Sequence, residues 1–169
     1  MIYAGIDPGL TGAIAFLDER GDTFSGGVYD TPVTAVARSG KGKRFVLDEP
    51  GMRALLLMVP RDDLCVALEQ VGPMPKQSPN SSFTFGTGYG TWRGMLVMAQ
   101  IRHVLVRPQR WQRDMMDGTP PGDGASIVVA RRRWPGVDLH RKKDHGRADA
   151  LLLAEWGRTR GFAVVGEEP

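Results

Sequence analysis

The sequence predicts one α/β domain built on a mixed five-stranded sheet, an antiparallel hairpin beside parallel strands, with helices on both faces. Three observations lead there. Residues 2–7 (IYAGID) and 64–69 (LCVALE) are short apolar runs, each closed by an acid and soon followed by Gly/Pro punctuation, as strands are. Residues 13–29 read as two strands around a turn at Arg20-Gly21-Asp22. The rest alternates helix-length segments with breaks rich in Gly and Pro. At 169 residues, 41% of them apolar and 24% charged, the chain has the size and balance of a single soluble domain, residues 1–169, with a frayed tail at 166–169.

Taken in order, the first strand exits through Pro8-Gly9, and strands at 13–17 and 23–29 form the hairpin. Residues 37–44 (ARSGKGKR) read as a basic, glycine-containing loop. Asp48 caps a helix running to about Met58, with Pro50 tolerated in its first turn. The run at 64–68 is of the kind buried on both faces of a sheet. Residues 71–82 (VGPMPKQSPNSS) read as a surface loop, followed by a helix from Gly88 to about Gln100 and a strand at 103–106. Helices are then expected from Pro108 to about Met116, over 125–134 before Pro135-Gly136, and from Asp144 to about Arg158.

Composition narrows the setting. No apolar run approaches the roughly 20 residues that cross a bilayer, and the N-terminus carries an acid where a signal peptide is apolar. A single cysteine, Cys65, excludes an internal disulfide framework and a cysteine-rich zinc site, which suits a reducing, cytoplasmic compartment. The net charge is only +3, but residues 101–160 hold 13 Lys/Arg against 7 Asp/Glu, whereas residues 1–60 hold 6 against 7. Seventeen of the 22 basic residues are Arg, whose planar fork matches phosphate. A basic second half is the footprint of a nucleic-acid partner, or of a merely solvated face.

Three acids stand where apolar residues are expected. Asp7 and Glu69 each end a strand, and strand ends are where open α/β sheets place their sites. Asp149 shares a helical face with Leu152, Leu153 and Trp156, so it points toward the core or a pocket at its edge. Each acid alone has a plainer reading, as a turn cap or the partner of an Arg. Three converging carboxylates, however, repel one another unless a cation sits between them. Hard divalent ions with oxygen ligands answer that need, and two of them suffice for phosphodiester cleavage. A fourth group is open between His145, one turn before Asp149 on the same face, and Asp144, which also reads as a helix N-cap. His103 and His140 have no acidic partner at useful spacing.

At this point GIDPGLTGAIA (5–15), ALEQ (67–70) and DHGRADALLLA (144–154) resemble the RuvC-type Holliday junction resolvases, most of all their short bacteriophage forms. The resemblance implies a ribonuclease H-like fold and a carboxylate cluster served by Mg²⁺ or Mn²⁺, with the family's three acids falling on Asp7, Glu69 and Asp149. It further implies a homodimer that nicks two strands of a four-way junction, in DNA recombination and repair. Many members carry an acid or histidine three residues before the last Asp; here that residue is Gly146.

DNA contacts are expected from Lys76 and from the aromatics Phe83, Phe85 and Tyr89, which stack on unpaired bases or pack inward. Phosphate candidates are Arg93, Arg107, Arg110, Arg131, Arg132, Arg133, Arg141, Lys142, Lys143 and Arg147. Trp92, Met95, Leu96 and Ala99 form an apolar stripe that serves either a dimer contact or burial on the sheet. Three rival readings remain: a ribonuclease H-type enzyme on RNA–DNA hybrids, an inactive DNA-binding module, and an actin- or sugar-kinase-like ATP binder. The last is suggested by GIDPGLTG and opposed by a length that holds one such domain.

Overall fold

The computed structural model describes residues 1–37, 40, 42–72, 78–116, 118–120, 122, 124–141 and 143–162. Strands β1 (Ile2–Asp7), β2 (Ala13–Leu17) and β3 (Thr23–Asp30) run as an antiparallel meander. Its second turn is held by the Asp18 carboxylate, which accepts from the backbone N–H of Arg20 and Asp22 at 2.9 and 3.0 Å. Strands β4 (Val33–Ala37) and β5 (Lys43–Leu47) pair only with each other, as a separate two-stranded ribbon. Of the segment expected as a basic loop, Ala37 ends β4 and Lys43 and Arg44 begin β5, while residues 38, 39 and 41 lie outside the described residues. Both faces of that ribbon are largely exposed, so its strands lack the apolar alternation that marks a half-buried strand.

Helix α1 (Glu49–Leu56) begins at Asp48, whose carboxylate accepts from Gly51 N–H at 3.1 Å. It leads to β6 (Leu64–Glu69), which lies parallel to β1. Helix α2 (Pro79–Met98) starts nine residues before the expected Gly88, because Ser78 caps it by accepting from Ser81 N–H and Pro79 fits its first turn. Strand β7 (Arg102–Val106) adds in parallel beside β6, giving the five-stranded order β3-β2-β1-β6-β7. Helices α3 (Pro108–Met115), α4 (Ala125–Arg133) and α5 (His145–Trp156) complete the chain, with a π-helical turn at 157–161. Lys76, Lys142 and the 166–169 tail lie outside the described residues. No described helix is long and apolar enough to cross a membrane.

Strand alternation sorts the core into two layers. Ala4, Ile6, Ile14, Phe16, Val66 and Leu68 face α1 and α2, with Trp92 and Leu96 buried among them. Ala13, Ala15, Leu17 and Ala67 face α3, α4 and α5. The stripe expected as a dimer contact is thus spent inside the molecule: Trp92 and Leu96 are fully buried, and Met95 and Ala99 pack against the same layer. Helix α5 crosses β1 so closely that a Cβ on Gly5 would lie 2.1 Å from the Ala150 carbonyl oxygen. Only glycine allows that approach.

Candidate active site

The same alternation aims the acids. Asp7 follows Gly5 in the odd register of β1, and Glu69 follows Ala67 in that of β6, so both project toward the α5 layer. Strands β1 and β6 are parallel neighbours, and their C-terminal ends therefore open on one edge of the sheet. Asp149 comes from the second turn of α5. Together Asp7, Glu69 and Asp149 line a cavity of about 580 Å³, whose other walls include Thr11, Ser81, Thr84, Phe85 and His145. A larger cavity of about 1290 Å³, walled by α3, α4 and the turn between them, shares Asp149 and His145 with it.

Electrostatically the three acids behave as one cluster. Burial pushes Asp7 up to about 6, against the Gly9 N–H and the charge of His145. Burial likewise raises Asp149 to about 7, opposed by a hydrogen bond from Ser126 and reinforced by the charge of Asp7. Glu69 is driven highest, to about 8, by burial and by the charges of Asp7 and Asp149, although Trp111 restrains it. The Trp111 indole N–H donates to Glu69 Oε1 at 2.9 Å from a fully buried position. Ionising such a cluster at neutral pH calls for a cation. Among the described residues no three or more His, Cys, Asp or Glu side chains are grouped so that they could hold a metal ion by themselves. An all-oxygen set on a solvent-open cavity instead fits Mg²⁺, which takes a few carboxylates and completes its shell with water and substrate phosphate.

The candidates for a fourth group separate cleanly. His145 is exposed on the cavity wall, and its charge acts on both Asp7 and Asp149. Asp144 is fully buried and lines neither cavity. Its carboxylate accepts from Arg141 N–H at 2.6 Å and Arg141 Nε at 2.7 Å. Burial alone would raise Asp144, yet the hydrogen bonds and charge of Arg141, with the charge of Arg147, hold it below the ordinary carboxylate range. Asp144, named with His145 as a candidate for the fourth group, is thus held by Arg141 away from the cavity that Asp7, Glu69 and Asp149 line. Gly146 cannot carry the missing side chain, since a Cβ there would lie 2.5 Å from Thr11 O and 3.0 Å from Asp7 Oδ2.

The basic candidates divide too. Arg141, in the turn before α5, and Arg147, in its first turn, both reach Asp30 at the end of β3. Arg131 donates to the Leu139 carbonyl and Arg133 to that of Met115. Arg110 lies over the Trp156 ring, 5.4 Å from its centroid. Arg93, Arg107 and Arg132 are exposed, and Lys143 lines the larger cavity. Among the aromatics, Phe85 reaches the catalytic cavity, Tyr89 packs on the core and Phe83 is 79% exposed. Trp111 and Ser126 are the site residues missing from the sequence reading. A tryptophan on an amphipathic helix signals only core, and its acid lies 42 positions away.

No protein-family model matches the chain. Over 148 residues it is 33% identical to a chloroplastic Holliday junction resolvase of Chlamydomonas reinhardtii, a match covering 76% of this chain and 17% of that protein. Its structure matches that of Thermus thermophilus RuvC with a TM-score of 0.52 at 18% identity, over 91% of each chain. The same T. thermophilus protein in complex with a Holliday junction substrate matches with a TM-score of 0.50 at 18% identity, over 91% of this chain and 90% of that one.

Proposed function

We propose that this chain, a homologue of a Holliday junction resolvase with the ribonuclease H-like fold of RuvC, is a metal-dependent, structure-selective endodeoxyribonuclease. It would resolve four-way DNA junctions by paired nicks. The observation that carries this reading is the convergence of Asp7, Glu69 and Asp149 on one cavity at the strand-end edge of the sheet. Asp7, Glu69 and Asp149 would hold Mg²⁺ or Mn²⁺ as a pair, which would supply activation of water and charge stabilisation at the phosphodiester. Trp111 and Ser126 fix the Glu69 and Asp149 carboxylates. A ring nitrogen of His145 takes the proton of the attacking water or gives one to the leaving oxygen. Arg93, Arg107, Arg132 and Lys143 hold flanking phosphates, and Arg107 sits beside Val106, the register partner of Glu69.

One cluster cuts one strand, so two symmetric nicks ask for two copies of the chain. We place the copy-to-copy contact on the outer face of α2, where Phe83, Val97 and Met98 are 79%, 57% and 83% exposed around the open glycines Gly86, Gly90 and Gly94. A substrate panel tests the activity: four-way, Y-shaped and linear DNA and an RNA–DNA hybrid, each with Mg²⁺ or Mn²⁺. Preferred cutting of the four-way junction is expected, lost in Asp7→Asn, Glu69→Gln and Asp149→Asn while binding survives. Equal cutting of linear duplex or hybrid would refute it.

A further inference from the structure

The β4–β5 ribbon has no place in the catalytic cluster, yet it springs from the same edge of the sheet. Register pairs Asp7 with Ala13 and Ala13 with Asp30, so the end of β3 stands two strands, roughly 10 Å, from the catalytic aspartate. Thr31 N–H then donates to the Gly12 carbonyl and Asp48 N–H to that of Pro32, which pins the base of the ribbon to the turn after Asp7. Beyond that base the strands pack extensively only on each other. Each is five residues long, so the ribbon reaches roughly 16 Å.

Its charge is one-signed. Lys43 and Arg44 are exposed, and neither makes an ion pair among the described residues. No acid occurs in the sequence between Asp30 and Asp48. Both of those acids are occupied, Asp30 by Arg141 and Arg147 and Asp48 by the α1 cap. Neighbouring residues of a strand point to opposite faces, so Lys43 and Arg44 make both faces of the ribbon positive. Phe45, 59% exposed, shares the Lys43 face with Ala35 and Ala37.

We propose that this ribbon is a second DNA-binding element, which enters a groove of one duplex arm and contacts backbone phosphates on both sides through Lys43 and Arg44. A major groove admits a two-stranded ribbon, and charge on both faces suits a cleft walled by phosphate on either side. A ribbon meant for a protein surface would offer one contact face rather than two cationic ones. The inference rests on the junction reading above but concerns affinity for the arms, not chemistry.

The test uses the full chain and binding of a fluorescent four-way junction over a range of salt. Lys43→Glu/Arg44→Glu should weaken binding at least tenfold, and Lys43→Ala/Arg44→Ala should lower the salt slope by about two, near 0.9 per lost phosphate contact. Lys43→Arg/Arg44→Lys should bind like wild type, which shows that charge is what matters. Single-turnover cleavage at saturating protein should stay within about twofold of wild type in every variant, because the ribbon carries none of the site's carboxylates. Unchanged affinity and salt slope in the charge-reversed variant overturn the ribbon's role while wild type still resolves junctions. Wild type that binds duplex with a ribbon-dependent slope but cuts no junction overturns the enzymatic reading and keeps the ribbon. Wild type that binds no DNA overturns both.

Discussion

Glu69 is raised by burial and by the charges of both Asp7 and Asp149. All three carboxylates are raised, to about 6, 8 and 7 for Asp7, Glu69 and Asp149, from ordinary values of 3.8, 4.5 and 3.8. The folded protein therefore binds more protons than the unfolded chain between those limits, so without metal its stability is greatest below about pH 4 as far as these groups are concerned, and falls as pH rises through 6 to 8. Divalent ions compete for the same oxygens as protons. Calorimetric titration should accordingly show Mg²⁺ binding tighten, with proton release, as pH is raised across that window; affinity independent of pH would detach the ion from these carboxylates. His145 and Asp144 offer a second comparison. His145→Ala should lower single-turnover cleavage strongly at unchanged melting temperature. Asp144→Ala should cost about 1.5–3 kcal/mol in denaturant unfolding, because it removes charged hydrogen bonds from a buried carboxylate. An inactive but fully stable Asp144→Ala would reverse the assignment.

At the scale of elements, α5 decides what the site contains. Its approach to β1 at Gly5 and to the β1–β2 turn at Gly146 places His145 and Asp149 around Asp7 and leaves no room for a side chain between them. Gly146→Asp, which introduces one of the two residue types that the resemblance implies there, should therefore abolish cleavage and lower the melting temperature instead of adding a ligand; a stable and more active variant would contradict this packing. Much of this was legible in the sequence, because a buried strand ending in an acid and an acid on a leucine stripe are both violations of pattern, and violations concentrate at sites. The first turns of α2 were not legible, since Pro79, Ser81, Ser82 and Gly86 carry loop composition and the cap at Ser78 is a local event. The ribbon was hidden by exposure on both faces. Trp111 and Ser126 were hidden because their partners are distant in sequence and their own surroundings are those of ordinary core.

On the scale of the whole molecule, α2 buries Trp92 and Leu96 on one face and exposes Phe83, Val97 and Met98 on the other. Trp92→Ala should destabilise the protein by about 3–5 kcal/mol, as a large side chain lost from a full core does. Val97→Glu/Met98→Glu should leave folding intact and convert a dimer to a monomer in sedimentation, since those side chains are open in the single chain; a double variant that still sediments as a dimer would move the interface elsewhere. The chain spans 17% of the length of the curated resolvase it matches. The most direct measurement is strand-resolved mapping of the products of a four-way junction, each strand labelled in turn, with Mg²⁺ and wild-type protein. Two nicks at symmetry-related positions on opposing strands, releasing two linear duplexes, are expected, with no product from Asp7→Asn. A single unpaired nick, or cuts scattered along the arms as they would be in linear duplex, would contradict this expectation.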